Sequence, residues 1–170
     1  WVSLYDHLVL TGGIAAAFAE ELLQRGKTAE EICGLSLEPS ELRYLACLCG
    51  LLHDLGKARE GETEYRLHVQ RGVEYATEWL SIKNVEGDFR EVILGAVARH
   101  HLRDNPQTPL EKLVCLADSY ASAGDRPEQG RASTLQEFVR VIRETEALEH
   151  ELFAGQPPLC LLMGDTDAIK

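Results

Sequence analysis

From Leu42 to Leu52 the chain reads Leu-Arg-Tyr-Leu-Ala-Cys-Leu-Cys-Gly-Leu-Leu, and this nearly unbroken apolar stretch runs straight into His53 and Asp54. A helix that is apolar almost all round belongs at the centre of a fold, so other helices must surround it. Ser40 is placed to cap this helix, and Gly56 to end it. Asp54 is thereby carried into an apolar interior, where a carboxylate without a partner costs several kcal/mol. A metal ion answers that cost, because it cancels the charge and the two carboxylate oxygens can serve different ions. Helical neighbours diverge by about 100°, so His53 and Asp54 face one site most easily at a helix end.

The rest of the chain supplies the surrounding helices. Leu8, Val9, Ile14, Phe18, Leu22 and Leu23 recur at helical steps from Leu4 to about Arg25, and Gly26 follows as a stop. Thr28 and Glu31 form a capping box for a short second helix. After the central helix, a polar loop from Ala58 to about Thr63 leads into a fourth helix through His68, Val69, Val73, Tyr75, Ala76 and Leu80. Further helices are expected over Phe89 to Leu102, over Pro109 to Ala123 with Gly124 as the exit, and over Thr134 to Phe153. Strand character is confined to pieces such as Leu159 to Met163. The expected fold is an all-α helical bundle, one domain over residues 1–170, built around a one- or two-metal site.

Composition sets limits on function. Apolar residues make up 45% and charged residues 26% of the chain, as expected for a packed core. Seventeen basic against 28 acidic residues leave a net charge of −11, which repels a polyanion except where metal ions or local basic clusters reverse the field. That argues against a free-standing DNA binder, but not against a nuclease module whose neighbours supply a basic track. The cysteines, Cys33, Cys47, Cys49, Cys115 and Cys160, are odd in number and lack CxxC spacing, so reduced thiols are expected. No signal peptide leads the first helix, and no apolar run reaches the ~18 residues of a membrane span. A cytoplasmic location without membrane contact is expected. The opening at Trp1, without an initiator Met, suggests a fragment of a longer protein.

Other polar residues in the helical pattern complete a metal-ligand set. His7 lies near the start of the first helix, His68 on the fourth, His100 and His101 near the end of the fifth, and Asp118 within an apolar stretch of the sixth. Taken singly, each has an ordinary explanation: a His-Asp pair at a helix end as a cap or ion pair, His7 as a core or surface histidine, His68 as a solvated one. Imidazoles mixed with carboxylates suit Mn, Fe, Co or Ni, one ion or two, whereas Mg prefers oxygen alone. His100 and His101 are adjacent and are not expected to point the same way, so one should be a ligand while the other orients it or meets the substrate. His150, inside a charged run, is expected to be exposed and uninvolved.

In chain order, His7, then His53-Asp54 within His53-Asp54-Leu55-Gly56-Lys57, then His68 with Gly72 four residues on, His100-His101 and Asp118 resemble the signature of the HD superfamily of metal-dependent phosphohydrolases. The resemblance covers about Leu4 to Ala123. It implies a helical bundle in which His7, His53, Asp54 and Asp118 hold one ion, and Asp54, His68 and His100 or His101 the other. Asp54, Lys57 and His101 would then serve catalysis, with Lys57 meeting a substrate phosphate. The segments SLYDHLVLTGGIAAAFA, Ser3 to Ala19, and LADSYASAGDR, Leu116 to Arg126, resemble more narrowly the HD nuclease domain of the CRISPR effector large subunit. The order of motifs, with the His7 segment leading, is similar to the type I-D large subunit and to the HD nuclease accompanying the CRISPR helicase. This narrower resemblance implies a single-stranded DNA nuclease acting with other effector subunits and a guide RNA in antiviral defence.

Two further readings remain open. One is an HD phosphodiesterase acting on nucleotides or cyclic dinucleotides; the GYP tripeptide of the cyclic dinucleotide group does not follow His101, where Leu102 to Pro106 stands. The other is an inactive HD scaffold that only docks to partners.

Overall fold

The computed structural model describes residues 3–58, 67–124 and 135–155. Seven α-helices follow in order: α1 Leu4–Gln24, α2 Ala29–Cys33, α3 Pro39–Leu52, α4 His68–Ile82, α5 Gly87–Ala98, α6 Pro109–Gly124 and α7 Leu135–Phe153. Short 3-10 turns lie at Leu55–Ala58 and Leu102–Asp104, and there is no strand among the described residues. The all-α expectation holds; Leu159 to Met163 and Thr134 fall outside the described residues.

The apolar helix α3 is central, packed by α1, α5 and α6. Its Leu42, Leu45, Ala46 and Cys49 are shielded together with Phe18 of α1 and Leu113 of α6. Each large side chain removed from water in this way stabilises the fold by about 1.5–3 kcal/mol. α1 and α3 run in opposite directions: Arg43 reaches Glu20 at 2.8 Å, while Gly50 lies against Gly12. A Cβ on Gly50 would come within 2.7 Å of the Gly12 Cα, so the two backbones touch where only glycine fits. This crossing brings the start of α1, with His7, beside the end of α3.

Several boundaries differ from those expected. Pro39, not Ser40, opens α3: its ring presets the first helical φ, and the Glu41 carboxylate accepts from the Glu38 N–H at 2.9 Å. α3 ends at Leu52 rather than near Gly56, with His53 as its last capping residue and Asp54 in the turn beyond. α5 stops at Ala98, because Arg99 leaves helical geometry at φ −123° and ψ 32°. His100 and His101 therefore lie past the helix, His101 with an extended backbone at φ −107° and ψ 148°.

α7 closes the bundle. Phe153 packs edge-on against Phe18, with ring centroids 5.5 Å apart, and Arg25 Nη1 donates to the Phe153 carbonyl at 2.7 Å, satisfying a helix-end acceptor. No helix among the described residues is long and apolar enough to cross a membrane. Cys33, Cys47 and Cys49 are free thiols, and Cys160 lies outside the described residues.

Candidate metal centre

Four helices and two turns bring all seven predicted ligands to one place. His7 comes from the first turn of α1, His53 and Asp54 from the end of α3, His68 from the first residue of α4, His100 and His101 from the extended segment after α5, and Asp118 from the middle of α6. His53, Asp54, His68 and His100 are buried, and His7, His101 and Asp118 half-buried, so the group opens to solvent on one side.

Asp54 stands in the middle with its oxygens facing opposite ways. On the Oδ2 side are His53 Nε2 at 3.5 Å, His7 Nε2 at 3.8 Å and the ammonium of Lys57. On the Oδ1 side are His100 Nε2 at 3.4 Å and His68 Nε2 at 3.5 Å. Asp118 completes the first side, its Oδ1 lying 3.2 Å from His7 Nε2 and 3.5 Å from His53 Nε2. The donor atoms fall into two sets that share Asp54 and could each hold a metal ion: His7, His53, Asp54 and Asp118, and Asp54, His68, His100 and His101.

Backbone carbonyls fix the ring tautomers. His53 Nδ1 lies 2.6 Å from the Gly50 carbonyl, and His100 Nδ1 lies 2.6 Å from the Val97 carbonyl. A carbonyl can only accept, so each Nδ1 carries a proton, which leaves each Nε2 as the inward atom whose lone pair an ion would take in place of a proton, the outer-sphere arrangement typical of metal-ligating histidines. Those two Nε2 atoms and Asp54 Oδ1 are buried and have no hydrogen-bond partner among the described residues. Three buried polar atoms without partners on the two sides of Asp54 are costly unless cations meet them, and these donors fit divalent transition ions.

The electrostatics agree. Burial resists ionisation of Asp54, but the facing rings of His100 and His53 and the Lys57 charge hold its carboxyl well below the usual range. Asp118 is likewise held low against burial, by His53 and His7. Burial also opposes a charge on His53, yet Asp118 and Asp54 raise it to about 9. The interior thus favours positive charge strongly enough to overcome desolvation. His101 moves to about 3, driven down by burial and by neighbouring His100, and stays neutral.

His100 and His101 were not expected to turn the same way, and here the structure differs. The 100° divergence applies inside a helix, whereas both residues lie beyond the end of α5, where the extended chain lets both rings turn inward. His101 Nε2 is 2.9 Å from His68 Nε2, and its Nδ1 is 3.8 Å from Asp118 Oδ2, so this ring touches both ligand sets. His150 is exposed and outside the group, as expected.

Gly56 has a different part from the helix stop it was expected to be. Its φ is not positive, and a Cβ there would strike the His68 carbonyl oxygen and lie 2.6 Å from Gly72 N. The turn after Asp54 therefore lies directly on the first turn of α4, which brings His68 to Asp54. Gly72, one helical turn beyond His68, keeps that contact open. Arg99 and Glu111, to which the sequence pattern assigned no part, join the end of α5 to the start of α6; the Thr108-Pro109-Leu110-Glu111 spacing is the sequence signal for the second of them.

Residues 4–123 match the family described as HD domain. Ribonuclease Y of Geobacillus kaustophilus (strain HTA426) and Ribonuclease Y of Bacillus subtilis (strain 168) are each 31% identical to the chain over 133 residues. The alignment covers 78% of this chain but only 23% of either relative, so the chain spans about a quarter of their length. No solved structure matches it.

Proposed function

The chain belongs to the HD-domain family of metal-dependent phosphohydrolases, and on that footing we propose that it is a two-metal phosphodiesterase domain that cleaves single-stranded DNA within a CRISPR effector. The observation that carries the two-metal reading is Asp54, which faces His53 and His7 with one oxygen and His68 and His100 with the other. The strand and the setting rest on the resemblance of Ser3 to Ala19 and Leu116 to Arg126 to the CRISPR effector nuclease.

In this reading His7, His53, Asp54 and Asp118 hold one ion, and Asp54, His68, His100 and His101 the other; Mn, Ni, Co and Fe suit the mixed donors. Such ions supply a hydroxide-like nucleophile near neutral pH and positive charge for the phosphate oxygens. The protein's own contribution is orientation: the Gly50 and Val97 carbonyls hold His53 and His100 in one tautomer, so neither ring has to reorganise. Lys57, whose ammonium lies at Asp54 Oδ2, is within reach of a phosphate brought to that side, and half-buried His101 lines the open face between the two sets. With a net charge of −11, the domain attracts a strand mainly through its bound ions, and in a cytoplasmic assembly other effector subunits would add a basic track while the guide RNA pairs with the target.

The name of the curated relatives, Ribonuclease Y, favours RNA as the substrate in a second reading. One assay separates the two. The domain is incubated with Mn2+, Co2+ or Ni2+ and labelled single-stranded DNA, single-stranded RNA or a panel of mononucleotides and cyclic dinucleotides. Cleavage of DNA that disappears in Asp54→Ala is expected. Preferential RNA cleavage replaces the first reading with the second, and inert strands with bound metal remove both.

A further inference from the structure

We propose that Arg99 and Glu111 form a positioning clamp that holds His100 and His101 in place, and so sets chiefly the affinity of the second ion, the one that takes both rings as ligands. The inference rests on the two-metal reading above.

The two ligand sets have different supports. His7 and Asp118 are carried inside α1 and α6, and His53 caps α3, so the first set is anchored on long packed helices. The second set takes two of its four residues, His100 and His101, from the non-helical segment after α5. Side chains borne on such a segment need an external constraint to keep ligand geometry.

Arg99 supplies that constraint at the residue immediately before His100. Its N–H still donates to the Gly95 carbonyl at 3.0 Å, the last helical bond of α5. Its guanidinium then crosses to α6 and grips the Glu111 carboxylate with two parallel bonds, Nε to Oε2 at 2.8 Å and Nη2 to Oε1 at 2.5 Å. A bidentate fork fixes direction as well as distance. Glu111 is itself immobilised: it is only 3% exposed, and its Oε2 also accepts from the Gln107 N–H at 2.6 Å, while its own N–H donates to Thr108 Oγ1 at 3.2 Å. The clamp thus ties both ends of the segment from Arg99 to Thr108 to the same carboxylate, with His100 and His101 between them.

Gly95 is built for this contact. A Cβ there would lie 2.7 Å from Arg99 Nη2 and 3.0 Å from Glu111 Oε1, so the guanidinium lies across bare backbone. Alanine would favour a helix at this position, which makes glycine costly except for the room it gives the fork.

The test is calorimetric titration of the protein with Mn2+, with thermal melts run alongside, for wild type, Glu111→Gln, Gly95→Ala, Arg99→Ala and Arg99→Lys. Wild type is expected to bind two ions. Glu111→Gln, Gly95→Ala and Arg99→Ala should keep the affinity of the first ion and weaken the second by about 10–100-fold, the usual effect of removing an outer-sphere partner. Arg99→Lys, which retains the charge and one hydrogen bond but not the fork, should recover part of that loss. Gly95→Ala keeps both charged partners, so it probes the geometry even if Glu111→Gln folds poorly. Variants that fold and bind both ions as wild type does, or that weaken both ions in parallel, overturn the clamp. A wild type that binds no Mn2+ overturns the metal reading itself.

Discussion

Asp54 meets two demands at once. As a buried acid at the end of an apolar helix it needs positive charge, and as the residue between two sets of imidazoles it can give each set one oxygen. Asp54→Asn keeps shape and volume but loses the charge, so it is expected to lower metal affinity at both positions together, while His53→Gln lowers it at the first alone; metal analysis after gel filtration distinguishes the two patterns. Lys57 pairs with the same carboxylate, and the proposed function gives it the substrate phosphate. Lys57→Met is expected to leave metal content unchanged and to reduce kcat/KM for strand cleavage by about 1.5–3 kcal/mol of lost charge-assisted bonding, roughly 10–100-fold. Most of these residues were legible in the sequence because each is a polar group in an apolar pattern. The joint orientation of His100 and His101 was not, since it depends on α5 ending at Ala98, where the Arg99 backbone leaves helical geometry and its side chain reaches Glu111.

At the level of elements, the site depends on places where backbones touch. Gly56→Ala puts a methyl group into the first turn of α4, and neither partner is a side chain that can swing away. It is expected to destabilise the fold by about 1–3 kcal/mol in urea denaturation. Gly13→Ala, one helix away with nothing within 4 Å, is expected to be neutral or to stabilise α1 by up to about 1 kcal/mol. The join between α5 and α6 has its own signature. Burial alone would raise the Glu111 pKa, but Arg99 and the Gln107 N–H bring it below its ordinary value of 4.5. A carboxylate lowered on folding contributes stability that is present above its unfolded value and lost as pH falls through the folded one. The difference in Tm between wild type and Glu111→Gln should therefore shrink as pH drops below 4.5. The helices themselves followed from apolar periodicity, and the capping box at Thr28 and the Pro109 start stand as expected. The close approaches did not follow, because a glycine required by a neighbouring backbone looks in sequence like one that ends a helix.

For the molecule as a whole, function is set by the contrast between an acidic surface and an interior that favours cations. A chain with net charge −11 has little attraction for a polyanion of its own. Five separate segments of the sequence meet only because α3 is surrounded, and the apolar run at Leu42 to Leu52 already implied that enclosure. The division of the donors into two sets was implied by the family resemblance; what neither pattern nor resemblance could supply was which oxygen of Asp54 faces which ring. Anomalous diffraction from crystals grown with Mn2+ tests this most directly. The account predicts two peaks flanking Asp54, one among His7, His53 and Asp118 and one among His68, His100 and His101; the absence of any peak at Asp54 in protein saturated with Mn2+, or ions bound only elsewhere, would contradict it.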